Sequence, residues 1–326
     1  MPRVFLLVLI ICAVSESAVA QSNSGTIFRF LEVAPTARTA ALGGNHVGLY
    51  DADFSLIHIN PAYLRKGASG SVSASFMNFL GGANMGFTSG AYHIENVGTF
   101  AAGIRFLSYG EFDELNEDGE QLGTFNANDM ALTGSYSLLL GSHIQLGSSF
   151  DVIHSSYATY KSTALAISGG VFYQDTSSHF SAGLSIRNLG GQLTAFDTRR
   201  EPLPLDVSIG ITKKPEAFPF QLSLTLARLN DWDLRVLGET QRPDLLDNAF
   251  RHVVFGGEAT LGENLIFRFG YDHYLHEQVK TNNNFDLAGI SLGLGFNIQG
   301  ITFDFSRNSY SKLGGLTRLS IKTKLF

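Results

Sequence analysis

Two histidines three residues apart, His273 and His276, and a run of six carboxylates between Glu111 and Glu120 with no basic residue are the features that could do chemistry. Imidazole nitrogens bind transition metals, and carboxylates bind hard cations. The histidines flank an expected strand end, where their spacing defines no common face, so they read as hydrated loop side chains. The acidic run (E-F-D-E-L-N-E-D-G-E) lacks the ligand spacing of a calcium loop. It reads as a solvated loop tip. The sharper alternatives are cation binding beside lipopolysaccharide phosphates and docking to a basic partner. No G-x-S-x-G elbow occurs among the serines. Gly81-Gly82 and Gly169-Gly170 lack phosphate-loop context and would ease strand crowding. The one cysteine, Cys12, falls in an N-terminal apolar run, which excludes disulfides and thiol chemistry from a mature chain. The expectation is therefore no enzyme, no cofactor and no metal.

The elements that must carry these residues repeat along the chain. Met1-Pro2-Arg3, an apolar run from Val4 to Val14 and Ala18-Val19-Ala20 read as a signal peptide over residues 1–20. The run is shorter than the ~20 residues that a helix needs to cross a bilayer. A net charge of −6 argues against a nucleic-acid partner. From residue 70 onward, apolar and polar residues alternate with period two, as in strands that show one face to each side of a sheet. Fourteen strands are expected: Ser71–Phe79, Met85–Ile94, Thr99–Tyr109, Asp129–Leu140, His143–His154, Thr163–Tyr173, His179–Asn188, Leu203–Lys213, Phe220–Leu229, Arg251–Leu261, Asn264–His273, Phe285–Phe296, Gly300–Arg307 and Leu316–Phe326. Leu205, Val207, Ile209 and Ile211 share one face, as do Leu222, Leu224 and Leu226, and Phe303 and Phe305. Ser208, Thr212, Ser223, Arg268, Asp272, Thr302 and Asp304 fall on the other face. An arginine facing lipid at the bilayer midplane would cost roughly 2–4 kcal/mol, so that face belongs to a wet lumen.

The connections alternate in length. Those after odd-numbered strands are long (Gly110–Asn128, Ser155–Ser162, Leu189–Pro202, Asn230–Phe250 and Tyr274–Asn284), apart from the first. Those after even-numbered strands are short. The expected fold is an all-β transmembrane antiparallel barrel over residues 70–326, in the outer membrane, with long loops outside and both termini periplasmic. Residues 21–69 do not alternate. They hold Gly43, Gly44, Asp53, Asn60 and Pro61 and are expected as a hatch inside the barrel, which fourteen strands leave too wide to fill with wall side chains. The connection from Asn230 to Phe250 holds Trp232, the only tryptophan, with Leu234, Leu245 and Leu246, an apolar set suited to binding a partner.

Several runs carry a family resemblance. In the hatch they are Phe28-Arg29-Phe30-Leu31, Ala37-Arg38, Ala40-Ala41-Leu42-Gly43-Gly44, Asp53 and Asn60-Pro61-Ala62. In the barrel they are Gly98-Thr99-Phe100, Tyr109-Gly110-Glu111-Phe112, Gly123-Thr124-Phe125-Asn126-Ala127, Tyr157-Ala158-Thr159-Tyr160-Lys161-Ser162, Arg187-Asn188-Leu189-Gly190 and Glu201-Pro202-Leu203-Pro204. In these the chain resembles the PorQ family of type IX secretion, within the wider group of PorV-like and FadL-like barrels. The resemblance implies a non-catalytic barrel of the attachment complex, which holds a PorZ-like surface protein beside PorU and PorV at the lipopolysaccharide surface. The wider group leaves a second reading open, a FadL-like transporter of hydrophobic small molecules.

Overall fold

The computed structural model describes residues 25–78, 80–216, 218–262, 264–281, 286–310 and 314–326. The expected signal peptide and residues 21–24 of the expected hatch lie outside them. Fourteen strands close into one antiparallel barrel. They are β1 Ser71–Asn78, β2 Asn84–Ile94, β3 Gly98–Leu115, β4 Gln121–Leu140, β5 Ile144–Tyr157, β6 Tyr160–Asp175, β7 Phe180–Thr194, β8 Asp206–Lys213, β9 Phe220–Leu226, β10 Val253–Leu261, β11 Leu265–Asp272, β12 Ile290–Ile298, β13 Ile301–Ser309 and β14 Gly315–Lys324. Each pairs with its neighbours in sequence. β1 closes on β14, with Ser71 opposite Lys324 and Asn78 opposite Thr317. Closure gives every wall strand a partner on both sides, which a bilayer demands of backbone polar groups.

The alternation sorts side chains as the lipid argument requires. Ile209, Ile211, Leu224, Leu226, Phe303 and Phe305 stay 38–47 % exposed on the outer wall. Ser208, Thr212, Ser223, Arg268, Asp272 and Asp304 are buried on the inner side. Thr302 is half-buried there.

The rims differ from expectation in three places. Only the second half of the acidic run, Glu117, Asp118 and Glu120, is a loop tip. β3 continues through Leu115 and pairs Glu111 with Asn126 and Phe112 with Phe125. Phe112 and Phe125 stack with centroids 5.5 Å apart, a cross-strand aromatic pair that favours ribbon over loop. Only 116–120 turns, with Asn116 Oδ1 accepting from the Asp118 and Glu120 amides. The connection expected at Ser155–Ser162 is likewise ribbon down to a two-residue turn at Ala158 and Thr159, where Ala158 takes a left-handed φ of 52°. β3 to β7 therefore hold 14 to 20 residues each, against 7 to 10 in β8 to β14, and one side of the wall stands taller. Finally, His273 starts a helix rather than ending a strand, because Asp272 Oδ1 accepts from the Tyr274 and Leu275 amides and caps it.

Residues 25–70 run through the lumen. Short turns at Arg29–Glu32, Phe54–Leu56, Pro61–Tyr63 and Lys66–Ala68 flank helix α1, Ala37–Ala41. Side chains cap three of these pieces: Thr36 on α1, Asp53 on the second turn and Asn60 on the third. The segment enters beside the β7–β8 connection, where the Ile27 amide donates to Pro202 and Phe28 meets Phe196. It leaves at the opposite rim, where Gly70 accepts from the Leu325 amide. The first described residues therefore sit on the rim opposite Phe326, although an even strand count was expected to put both termini on one rim. The count omits the hatch, which makes one further crossing inside the wall. Its apolar side chains form three buried clusters, one of them Phe54, Ile57 and Leu64 against Ala91 and Ala101 of the wall. Phe28, Phe30 and Leu31 pack with Met77, Met85 and Leu107 of the wall, and Leu42, Val47, Leu49, Leu56, Ile59 and Tyr63 pack with Phe172.

Candidate functional site

Inside the barrel, six charged groups tie the hatch to four strands. Arg38 on α1 donates to Asp53 at 2.9 Å and to both oxygens of Glu258 on β10, at 3.0 and 3.1 Å. Glu258 also accepts from Arg268 Nε on β11 and from Gln221 on β9 at 2.8 Å. Arg268 Nη1 reaches Asp304 on β13 at 2.6 Å. Lys322 on β14 reaches Asp53 at 2.7 Å, and Ser55 donates twice to the other Asp53 oxygen. Three cations face three carboxylates, so the charge closes within the network. Paired and hydrogen-bonded in this way, buried ions are tolerated; removing one member leaves its partner uncompensated.

The hatch residues singled out by sequence seat the segment against the wall. Asn60 and Pro61 are buried, and Asn60 Nδ2 donates to the carbonyls of Val47 and of Val171 on β6. Gly43 takes a left-handed φ of 90° and abuts the backbone of β11. Gly270 on β11 lets that approach happen. A Cβ there would fall inside the Leu42 carbonyl group and the Gly43 amide. Gly270→Ala is expected to destabilise the barrel by roughly 1–3 kcal/mol, the usual cost of overpacking. Gly134→Ala, where a Cβ meets nothing within 4 Å, should stay within about 0.5 kcal/mol. Urea unfolding in lipid vesicles measures both. Equal effects would mean the hatch does not press on β11.

Above the hatch lies a cavity of ≈ 320 Å³, floored by Ala40, Gly43 and Gly44 and roofed by helix α3, His273–Val279, through Tyr274 and Gln278. Its wall is charged: Arg187 pairs with Asp206 at 3.0 Å, Arg228 pairs with Asp272 at 2.8 Å, and Arg318 lies between Asn308 and Tyr310.

The rim above carries helix α2, Leu245–Arg251, in the connection of residues 227–252. Trp232, Leu245 and Leu246 are 56 %, 73 % and 72 % exposed. Trp232 stacks on His252 at 4.9 Å. Leu234, grouped with them by sequence, is buried and holds the loop down, since its carbonyl accepts from Arg251 at 2.8 Å. Arg251 also grips both oxygens of Glu239, at 2.6 and 2.8 Å. Hydrogen bonding from Arg251 pulls the Glu239 carboxyl down to about 2, against the upward pull of burial. A depressed folded value contributes stability above the ordinary carboxylate range and loses it as pH falls through the folded value. The cap is therefore expected to loosen between about pH 4.5 and 2. Protection of residues 234–251 against hydrogen exchange, taken relative to the intrinsic rate at each pH, should fall across that window in the wild type. In Glu239→Gln the protection should already be low and change little with pH.

Arg268, Asp272 and Asp304 were placed in the lumen by parity alone. Glu258 and Lys322 were missed, although each shares the inward parity of its strand. No sequence signal pairs them with Arg38 and Asp53, more than 200 residues away.

No protein-family profile and no curated protein matches the chain. Solved structures do. The toluene transporter TodX of Pseudomonas putida aligns with a TM-score of 0.54 at 14 % identity, over 90 % of this chain and 99 % of that one. A Pseudomonas aeruginosa FadL homologue gives 0.53 at 12 %, over 93 % and 100 %. CymD, a monoaromatic hydrocarbon channel, gives 0.51 at 12 %, over 91 % and 99 %. At such identity the likeness establishes the fold alone: a closed fourteen-strand antiparallel barrel of the kind seen in FadL-like proteins.

Proposed function

We propose that this chain is a non-catalytic outer-membrane barrel that anchors a surface protein, as a PorQ-like member of the type IX attachment complex would hold a PorZ-like partner beside PorU and PorV. The observation that carries this reading is the hatch, tied to β10, β11, β13 and β14 by a charge-balanced ion network within a polar lumen. A conduit for hydrophobic molecules needs an apolar path and a plug that can shift. In this reading residues 1–20 direct export, 21–69 plug the barrel, and the rim with α2 and α3 faces away from the cell. The exposed Trp232, Leu245 and Leu246 supply the apolar contacts that anchor a partner. Trp232→Ala combined with Leu246→Ala is expected to lower recovery of a surface partner from mildly solubilised membranes about tenfold, which corresponds to ~1.4 kcal/mol, while barrel yield holds. Undiminished recovery would remove this rim from the reading.

A second reading, transport of hydrophobic small molecules, draws direct support from the fold shared with TodX and CymD, which are described as hydrocarbon channels. The cavity above the hatch is where such a molecule would first lodge. Accelerated hydrocarbon entry into vesicles carrying the barrel would favour it.

A further inference from the structure

The two connections that cap the barrel bring together donors that lie apart in sequence. Asp247 on α2 and His273 and Glu277 on α3 each offer one ligand atom, all within 4.8 Å of one another. His273 Nε2 already lies 3.2 Å from Asp247 Oδ1. Donors bound at ~2.0–2.1 Å to one tetrahedral ion stand about 3.4 Å apart, so closure needs only a small side-chain adjustment.

The geometry points to a site here for a divalent transition-metal ion of the zinc class, joining α2 to α3. Four observations support it. First, the donor set is one imidazole and two carboxylates, which suits zinc; a calcium or magnesium site would be built of oxygen alone. Second, the first-ligand orientation is set from behind. Tyr271 Oη lies 2.9 Å from His273 Nδ1, and with Nδ1–H donating to Tyr271 the Nε2 lone pair points towards Asp247. Such outer partners fix the tautomer of a metal-binding histidine. Third, Arg251 holds Asp247 Oδ2 at 2.8 Å and so turns the other Asp247 oxygen, Oδ1, towards His273 Nε2. Fourth, charge is left over. Glu239, Asp247 and Glu277 share Arg251 and Lys280, which leaves one negative charge for a cation to offset.

Lys280, 47 % exposed, bonds both oxygens of Glu277 and is the competitor that zinc would displace. Three protein ligands leave a fourth position for water or for a group from outside. The site would fasten the loop of residues 227–252 to that of residues 273–289 over the luminal cavity. It was illegible in sequence because the His273 and His276 pair suggests ligands three apart. His276 instead turns Nδ1 to the Ala288 carbonyl at 3.0 Å, and the real co-ligand on its helix is Glu277.

The test uses the full chain in detergent, stripped with a chelator and titrated with Zn²⁺ alone by calorimetry. One ion per chain is expected. Affinity should fall at least about tenfold in His273→Ala and in Asp247→Asn, should rise in Lys280→Gln, and should not change in the control His143→Ala on the opposite rim. X-ray absorption of the zinc-loaded wild type, which requires no variant to fold, should show nitrogen and oxygen neighbours at ~2.0–2.1 Å with one imidazole. Absence of saturable binding, full binding in both ligand variants, or more than one imidazole in the absorption spectrum would overturn the assignment.

Discussion

Glu258→Ala is expected to destabilise the barrel by about 3–5 kcal/mol and to unseat the hatch. Glu258 is the hinge of the luminal network, since it accepts from Arg38, Arg268 and Gln221 at once. Without it, two guanidinium groups remain in a buried site with only Asp53 and Asp304 at their outer ends. The loss should appear as a lower temperature for the heat-induced gel shift of the folded barrel, together with ion leakage through vesicles that carry it. Glu258→Gln keeps hydrogen-bond acceptance and should cost less. A double variant, Glu258→Leu with Arg38→Met, should recover much of the loss. It removes one charge of each sign and leaves Lys322 with Asp53 and Arg268 with Asp304. No recovery in the double variant would mean that packing, rather than charge pairing, seats α1.

Phe305→Arg should cost roughly 2–4 kcal/mol in a bilayer, because Phe305 lies at the middle of β13 on the lipid-facing wall. The chain supplies its own control. Arg307, two residues nearer the rim on the same face, is exposed and bonds Thr317 at 3.2 Å, where an arginine can reach the headgroup region. Arg307→Phe should therefore change stability by less than about 1 kcal/mol. Phe305→Leu, a volume-tolerant swap, should cost less than about 1.5 kcal/mol. Urea titrations of barrels folded into vesicles read all three. Equal costs for Phe305→Arg and Phe305→Leu would mean that this wall does not face hydrocarbon.

Much of this architecture is legible in sequence because a period of two is a local property. The alternation in β8, β9 and β13 assigned Ile209, Leu224 and Phe305 outward and Ser208, Ser223 and Asp304 inward without knowledge of any partner strand. Ribbon length was less legible. Glu111 to Leu115 looks like loop from its charge, and only the stacking of Phe112 on Phe125 across the strands shows why it pairs. The hatch was visible as a break in alternation, but its path was not. Its crossing from Pro202 to Gly70 depends on contacts such as Asn60 against β6 and Leu42 against Gly270, which are long-range and leave no period. For the same reason Asp53 and Asn60 stood out as hatch residues, while Glu258 and Lys322, which receive the hatch, did not. Leu234 shows the limit of composition: it matches Leu245 and Leu246 in type, but one is buried under the cap and the other two are outside it.

The most direct test of the account is passage through the purified wild-type barrel in lipid, measured as conductance in planar bilayers and as entry of a labelled monoaromatic hydrocarbon into vesicles. A hatch locked by Arg38, Asp53, Glu258 and Lys322 predicts conductance at the lipid background and no accelerated entry, with leakage appearing in Glu258→Ala. Steady conductance or fast hydrocarbon entry through the unaltered barrel would contradict it.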